Sequence, residues 1–296
     1  MISYFQAIVI GLLQGVTELF PISSLGHSVL LPGWLHWNTI VGAQSADESF
    51  YLAFLVALHV ATALALVVYF RADWVRLVRA GVSIVRTRKV TSADERLAWL
   101  IVIASIPVGV IGLALEHTLR TVFAKPLAAA IFLTVNGVLL GGGEWIRRRS
   151  ERVRRLAARA PQTTEAEPGR RLDTLEVREA GIIGVAQSAA LFAGISRSGI
   201  TMIAGLVRGL DHEDAARFSF LLATPVILAA GLYKIPDLLG PLGDGVRGQA
   251  LAGAAAAGIA GYGAVRFLVR FFKTRSLLPF AAYCLLAGGL SIIRFA

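Results

Sequence analysis

Six apolar runs, Phe50 to Phe70, Leu97 to Leu115, Pro126 to Ile146, Phe218 to Ile235, Ala250 to Val269 and Leu277 to Phe295, approach the length of about 20 residues that crosses a bilayer. Such a chain has little choice of fold. Inside lipid every backbone amide must be satisfied within its own segment, so each run is predicted to be a helix and the protein an all-α polytopic membrane protein. Composition agrees: 56% of residues are hydrophobic, 16% are charged and the mean hydropathy is +0.67, values that argue against the two soluble domains that 296 residues could otherwise form. The net charge of +10 does not point to nucleic acid, because the cations gather in short blocks between the apolar runs.

Three basic blocks set the orientation. They are Arg71 to Arg96, Arg147 to Arg178, and the turn carrying Arg266, Arg270, Lys273 and Arg275; an excess of Arg and Lys marks the cytoplasmic side. Within the first block, Trp74 to Val85 is predicted to lie on the membrane surface as an amphipathic helix. The second, with Pro161, Pro168 and Gly169 among its charges, reads as a linker that is flexible at least in its middle. Residues 32–49, with Trp34, Trp37, Asp47 and Glu48, are expected to form an interfacial loop, Glu116 to Lys125 an outer turn, and Arg208 to Arg217 a charged turn. The lone Cys284 allows no intramolecular disulfide or cysteine metal cluster, and Met1 to Gln6 lacks a signal peptide's basic region and cleavage site.

Residues 5–31 are apolar but interrupted at Pro21 and at Gly26-His27, which suits two half-length helices meeting in a re-entrant hairpin better than one continuous span. Ala180 to Val207 shows a similar interruption. Shifting the first stretch by 173 positions places Ile10 on Ile183, Gly11 on Gly184, Gln14 on Gln187, Ile22-Ser23 on Ile195-Ser196 and Gly26 on Gly199. We therefore read a tandem repeat: residues 1–146, the basic linker 147–178, and residues 179–296. Each half holds one re-entrant hairpin and three spans. The odd number of spans inverts the second half relative to the first and puts all three basic blocks on one side. In folds of this kind the functional site lies where the broken elements meet near the midplane.

The two hairpins carry the polar groups. Gln14 and Glu18, four residues apart, share one helix face, where they could satisfy freed backbone groups or, since intramembrane carboxylates are costly and by default functional, hold a hard cation through oxygen. Ser23, just after Pro21, suits helix capping at least as well as chemistry. Ser24 is the better nucleophile, with His27 three residues on as base, acid or nucleophile in its own right. His59, mid-span with no acidic neighbour in sequence, reads as a hydrogen-bonded core residue. The second hairpin supplies Ser196, Arg197, Ser198, Gly199 and Thr201, a guanidinium fork with three hydroxyls and a glycine that lets backbone approach an oxyanion. A carboxylate and nucleophile facing a phosphate clamp suit hydrolysis of a phosphoanhydride on a membrane lipid. The sequence contains no Walker-type loop, no cysteine nucleophile beside an arginine loop and no aspartate-based phosphatase signature.

The segment from Gln14 to Ser24 with Gly26-His27, and the segment Gly194-Ile195-Ser196-Arg197-Ser198-Gly199-Ile200-Thr201, resemble the two signatures of the bacterial undecaprenyl pyrophosphate phosphatases, a family also linked to bacitracin resistance. Ile106 to Gly112 and Arg217 to Leu222 with Pro225 extend the likeness over nearly the whole chain. Gln14 stands where the family often has Glu, Leu25 where it usually has Thr, and Ala193 where it usually has Pro. The resemblance implies an integral plasma-membrane enzyme that removes the terminal phosphate of undecaprenyl diphosphate, recycling the lipid carrier of peptidoglycan, with Mg2+ or Ca2+ as its cation. It implies Gln14 and Glu18 as the acidic, metal-binding motif, Ser24 and His27 as hydroxyl and imidazole, with the nucleophile left open between them. Ser196, Arg197, Ser198 and Thr201 would bind phosphate. The expected partners are a polyprenyl diphosphate, the bilayer and a second copy of the chain in a homodimer, with no nucleic acid, and the site is expected to open to the outer face. A polyprenyl-phosphate transporter or flippase of the same architecture, and a phosphate-binding lipid sensor without turnover, are the competing readings.

Overall fold

The computed structural model describes residues 2–37, 40, 42, 50–123, 125–157 and 172–296. The expected acidic positions Asp47 and Glu48 of the interfacial loop, and residues 158–171 of the linker, lie outside the described residues. Among the described residues the fold is all-helical and contains six helices long and apolar enough to cross a membrane, as expected of a multi-pass membrane protein. Large apolar side chains such as Ile106, Val110, Leu113, Leu232, Ile259 and Ile293 stay exposed along these helices, the surface a bilayer would cover.

The chain begins with two short helices, α1 (Tyr4–Thr17) and α2 (Ser24–Trp34). Helix α1 starts at a capping box in which Ser3 and Gln6 satisfy each other's backbone amides. After it come α3 (Phe50–Tyr69), the amphipathic α4 (Arg71–Thr87), α5 (Ala93–Phe123) and α6 (Pro126–Ala157). A second pair of short helices, α7 (Val177–Gln187) and α8 (Arg197–Val207), is followed by α9 (His212–Leu239), α10 (Arg247–Phe271) and α11 (Leu278–Phe295). Three of the six candidate spans thus follow each short pair.

Helix ends run past the apolar runs, each for a visible reason. The stretch from Glu116 is not a turn but continues α5 to Phe123. The basic block after Ile146 is helical as far as Ala157; Glu144 pairs there with Arg147 and Arg148, and Arg147 with Glu151, at the i,i+3 and i,i+4 spacings that support a helix in water. The expected charged turn closes early because the Asp211 side chain accepts from the Asp214 amide and starts α9 at His212.

Packing uses small residues, as helix association in lipid requires. Helix α1 lies against α10, with Gly11 so close to the Gly253 backbone that a Cβ would overlap it. Helices α6 and α11 pair, α10 packs on α3, and α5 covers α7. The basic blocks meet at one end of the bundle. Arg217 reaches Asp73 at 2.6 Å, His212 reaches the fully buried Glu144 at 2.8 Å, and Lys273 lies 3.6 Å from Glu213.

Candidate active site

Both breaks in the short helix pairs point at each other, and the polar side chains that the sequence puts there tie them together. Ser23 holds φ at +69° and caps α2, its Oγ accepting from the amides of Gly26 and of Gly194 in the other break. Gly194, at φ +113° with the Ala129 carbonyl against the face where a Cβ would stand, is a position only glycine fills without strain. Ser196 caps α8 by accepting from the Gly199 amide. Asn136, from the middle of α6, bridges both breaks: its amide donates to the Pro21 carbonyl at 3.0 Å, and its oxygen accepts from the Ser196 amide at 3.0 Å. This clamp was not anticipated from the sequence.

Glu18, just past the end of α1, is the centre of the site. Its Oε1 accepts from Arg197 Nη2 at 2.9 Å. Its Oε2 accepts from Ser24 Oγ at 2.5 Å and from Gln14 Nε2 at 3.1 Å, and His59 Nε2 lies 3.1 Å away. The carboxylate is thus buried, 7% exposed, and compensated from four sides. A charge so deep in the bundle demands such partners. His59 Nδ1 sits 2.7 Å from the Leu55 carbonyl and must carry a proton toward it. The Nε2 contact with a carboxylate is attractive when that nitrogen is protonated too, so His59 and Arg197 together set two positive groups against one negative.

These groups line a cavity of about 270 Å³. Glu18, Ser23, Ser24, His59, Gln187, Ser196 and Arg197 form its polar end, while α3, α5 and α9 contribute apolar walls that include Leu52, Val108 and Val226. Gln187 donates to the Ala104 carbonyl, and its Oε1 is buried without a partner.

Of the residues singled out in sequence, Glu18, Ser23, Ser24, Ser196 and Arg197 therefore come together around one cavity. The others stand behind it. His27 turns away, its Nδ1 donating to the Ser23 carbonyl at 2.7 Å and its Nε2 accepting from Tyr283 at 2.7 Å. Ser198 donates to the Phe20 carbonyl at 3.2 Å, and Thr201 Oγ1 lies 2.6 Å from Ser219 Oγ, so both hydroxyls join the breaks to their neighbours. Gly199 gives its amide to the cap. His59 is the residue that reasoning from sequence passed over. Its cost as an ionisable group inside an apolar span was the available signal.

Among the described residues no three His, Cys, Asp or Glu side chains gather as a metal-binding group. The oxygen donors nearest to such a role are the Glu18 carboxylate and Gln14 Oε1, which is buried and has no partner. These are hard ligands of the kind Mg2+ and Ca2+ take, two in number, so a bound phosphate would have to complete the set.

The sequence model for bacitracin resistance protein BacA matches residues 7–290. A Frankia alni protein named undecaprenyl-diphosphatase 2 is 56% identical, the alignment covering 100% of this chain and 98% of that protein. The undecaprenyl-diphosphatase of Mycolicibacterium paratuberculosis is 55% identical over 100% of this chain and 98% of its own length. A Chromobacterium violaceum undecaprenyl-diphosphatase 2 is 41% identical over 97% of each.

Proposed function

The chain belongs to the BacA family of bacitracin resistance proteins, and from that premise we propose that it hydrolyses undecaprenyl diphosphate to undecaprenyl phosphate and inorganic phosphate. The observation that carries this reading is the Glu18 constellation: a serine hydroxyl bonded to a carboxylate at 2.5 Å, beside a guanidinium, at the polar end of an apolar-walled cavity. The names of the relatives supply the substrate.

In the proposed reaction the terminal phosphate enters beside Arg197. Nη2 of that residue holds Glu18, whereas Nη1 makes only a 3.4 Å contact with the Ser219 carbonyl and is free to turn to a phosphate oxygen. Ser24 Oγ attacks the terminal phosphorus while Glu18 Oε2 takes its proton. The Ser24–P bond forms, the bridging P–O bond breaks, and undecaprenyl phosphate leaves. Water then cleaves the phosphoserine, releasing phosphate and restoring the Ser24 hydroxyl. His59 and Arg197 stabilise the equatorial charge that builds on the transferring phosphoryl group. His27 serves as a positioning residue, fixing the Ser23 carbonyl beside the nucleophile. A divalent cation belongs to the proposal: Glu18 and Gln14 would hold it, and when bound it would neutralise diphosphate charge.

The same reading places the enzyme in the bacterial plasma membrane with its basic end in the cytoplasm. The cavity walls then support an outward opening. Leu52 and Leu55 belong to the half of α3 far from Arg71, and Val226 and Ala230 to the half of α9 far from Arg217. The test is phosphate release from undecaprenyl diphosphate by purified protein, with Mg2+ or Ca2+. Ser24→Ala is expected to abolish release, and rapid quenching of the native enzyme to trap a phosphoserine. Release by Ser24→Ala at the native rate would refute the assignment.

A further inference from the structure

At the basic end of the bundle, away from the Glu18 cavity, three guanidinium groups converge on a separate recess of about 450 Å³. Arg266 and Arg270, four residues apart, stack on one face of α10, and Arg275 folds back from the turn beyond the helix end. No carboxylate lines the recess, and none of the three guanidiniums has a hydrogen-bond or ion-pair partner among the described residues. Several other arginines at this end have carboxylate partners. Arg76 and Arg217 share Asp73, Arg147 and Arg148 share Glu144, and the adjoining recess that shares Arg275 contains Asp211 and Glu213 alongside its cations. Like charges at i,i+4 with nothing between them repel, a cost that a bound anion removes.

The floor of the recess is aromatic. Phe267, 51% exposed, stacks on Phe20 with ring centroids 5.8 Å apart, and Phe271 meets Phe267 at 5.5 Å and Phe280 at 5.4 Å. These contacts hold the rings in place before any ligand arrives, which lowers the cost of binding. A free inorganic anion would use the arginines and leave the exposed rings unused. A ligand with a phosphate head and hydrocarbon tails uses both, at the depth where a membrane's anionic cytoplasmic surface attracts arginine. We propose that this recess binds an anionic phospholipid of the cytoplasmic leaflet, its phosphate held by Arg266, Arg270 and Arg275 and its acyl chains lying along Phe267 and Phe271.

The test uses the full-length protein in detergent, titrated with phosphatidylglycerol or phosphatidylcholine, with bound lipids counted by native mass spectrometry. Three exposed arginines without partners, Arg79, Arg86 and Arg88, allow a control that removes equal charge from the same end. The native protein and the Arg79→Gln/Arg86→Gln/Arg88→Gln control are expected to bind phosphatidylglycerol equally and to discriminate against phosphatidylcholine. In Arg266→Gln/Arg270→Gln/Arg275→Gln the affinity for phosphatidylglycerol should fall about a hundredfold, and in Arg270→Gln alone about fivefold, from the contribution of each arginine near an anionic surface. Equal binding in the native protein and the recess triple overturns the proposal, as does an equal loss in the control. Displacement of the lipid by millimolar inorganic phosphate would overturn the lipid assignment in favour of a free anion.

Discussion

Arg197→Ala breaks the one charge pair that spans the two helix breaks. In the native protein Glu18 Oε1 accepts from Arg197 at 2.9 Å, and Glu18 is 7% exposed, so removing the guanidinium leaves a carboxylate in a site that water reaches poorly. Breaking one side of a buried pair costs about 3–5 kcal/mol, and the remaining contacts from Ser24, Gln14 and His59 place the expected loss near the lower figure. Glu18→Ala should destabilise by a similar amount, because Arg197 then keeps only its long contact with Ser219. With both removed, neither member of the Glu18–Arg197 pair is left behind and only His59 loses its carboxylate, so Glu18→Ala/Arg197→Ala should lose clearly less than the sum of the single losses. Turnover should not recover. A donor aimed at transferring phosphoryl charge contributes on the order of a hundredfold to a thousandfold in rate, and the double variant lacks the base as well. Thermal unfolding of the four proteins in one detergent gives the coupling, and phosphate release gives the chemistry. Additive destabilisation would refute the pairing argument, and Arg197→Ala with native turnover would refute its catalytic role.

Three further outcomes are expected. His59→Leu, which removes a positive group 3.1 Å from Glu18 while keeping bulk, should lower kcat by about tenfold or more through lost transition-state charge stabilisation; steady-state phosphate release checks it, and an unchanged kcat would return His59 to a packing role. His27→Ala should lower stability and turnover together, since it removes the ring's bond to the Ser23 carbonyl, which keeps only its 3.3 Å bond from the residue 27 amide, and takes away the partner of the Tyr283 hydroxyl, whereas Tyr283→Phe should cost only about 1 kcal/mol; both are read by thermal unfolding beside activity. Asn136→Leu leaves the Ser196 amide unpaired and the Pro21 carbonyl with only a 4.0 Å contact from Cys284 Sγ, and should destabilise by about 2–6 kcal/mol at about 1–3 for each group, measured as a lowered unfolding temperature.

The spans were legible because length and apolar content suffice to make a membrane helix, and Phe50–Tyr69 and Leu278–Phe295 begin and end within a residue of the apolar runs. The ends that moved are those set by water-side chemistry. Helix α6 outlasts its apolar run because ion pairs four residues apart carry it on, a pattern visible in the sequence but hidden by reading the block only as charge. At the site, Glu18, Ser24 and Arg197 were legible as costly or reactive groups beside breaks in apolar helices. What one sequence does not carry is direction. The spacing of Ser24 and His27 suggested a local nucleophile and base, yet the first turn of α2 sends Ser24 toward Glu18 and His27 toward Tyr283 on the distant α11. The imidazole that faces the nucleophile comes instead from α3, 35 residues further on. Ser198 and Thr201 show the same limit: a hydroxyl beside an arginine can serve phosphate or backbone, and here each has a neighbour in the protein.

The pattern of partners has a consequence for assembly. Nearly every polar group in the first break is satisfied by the second or by a helix between them: Glu18 by Arg197, the Phe20 carbonyl by Ser198, the Ser23 hydroxyl by the Gly194 amide, and the Pro21 carbonyl by Asn136. Alone in lipid, the first break would expose a carboxylate and two carbonyls to hydrocarbon, each costing several kcal/mol. Docking of the breaks therefore removes a penalty as well as forming contacts, which makes it cooperative. The groups that enforce that docking, Glu18 and Arg197, are also those proposed to act on phosphate. Substrate must therefore compete with part of the structural pair, drawing Arg197 toward phosphate while His59 and Gln14 continue to compensate Glu18. Four partners on one carboxylate make that exchange feasible, because any one of them can turn to a ligand without leaving the charge alone.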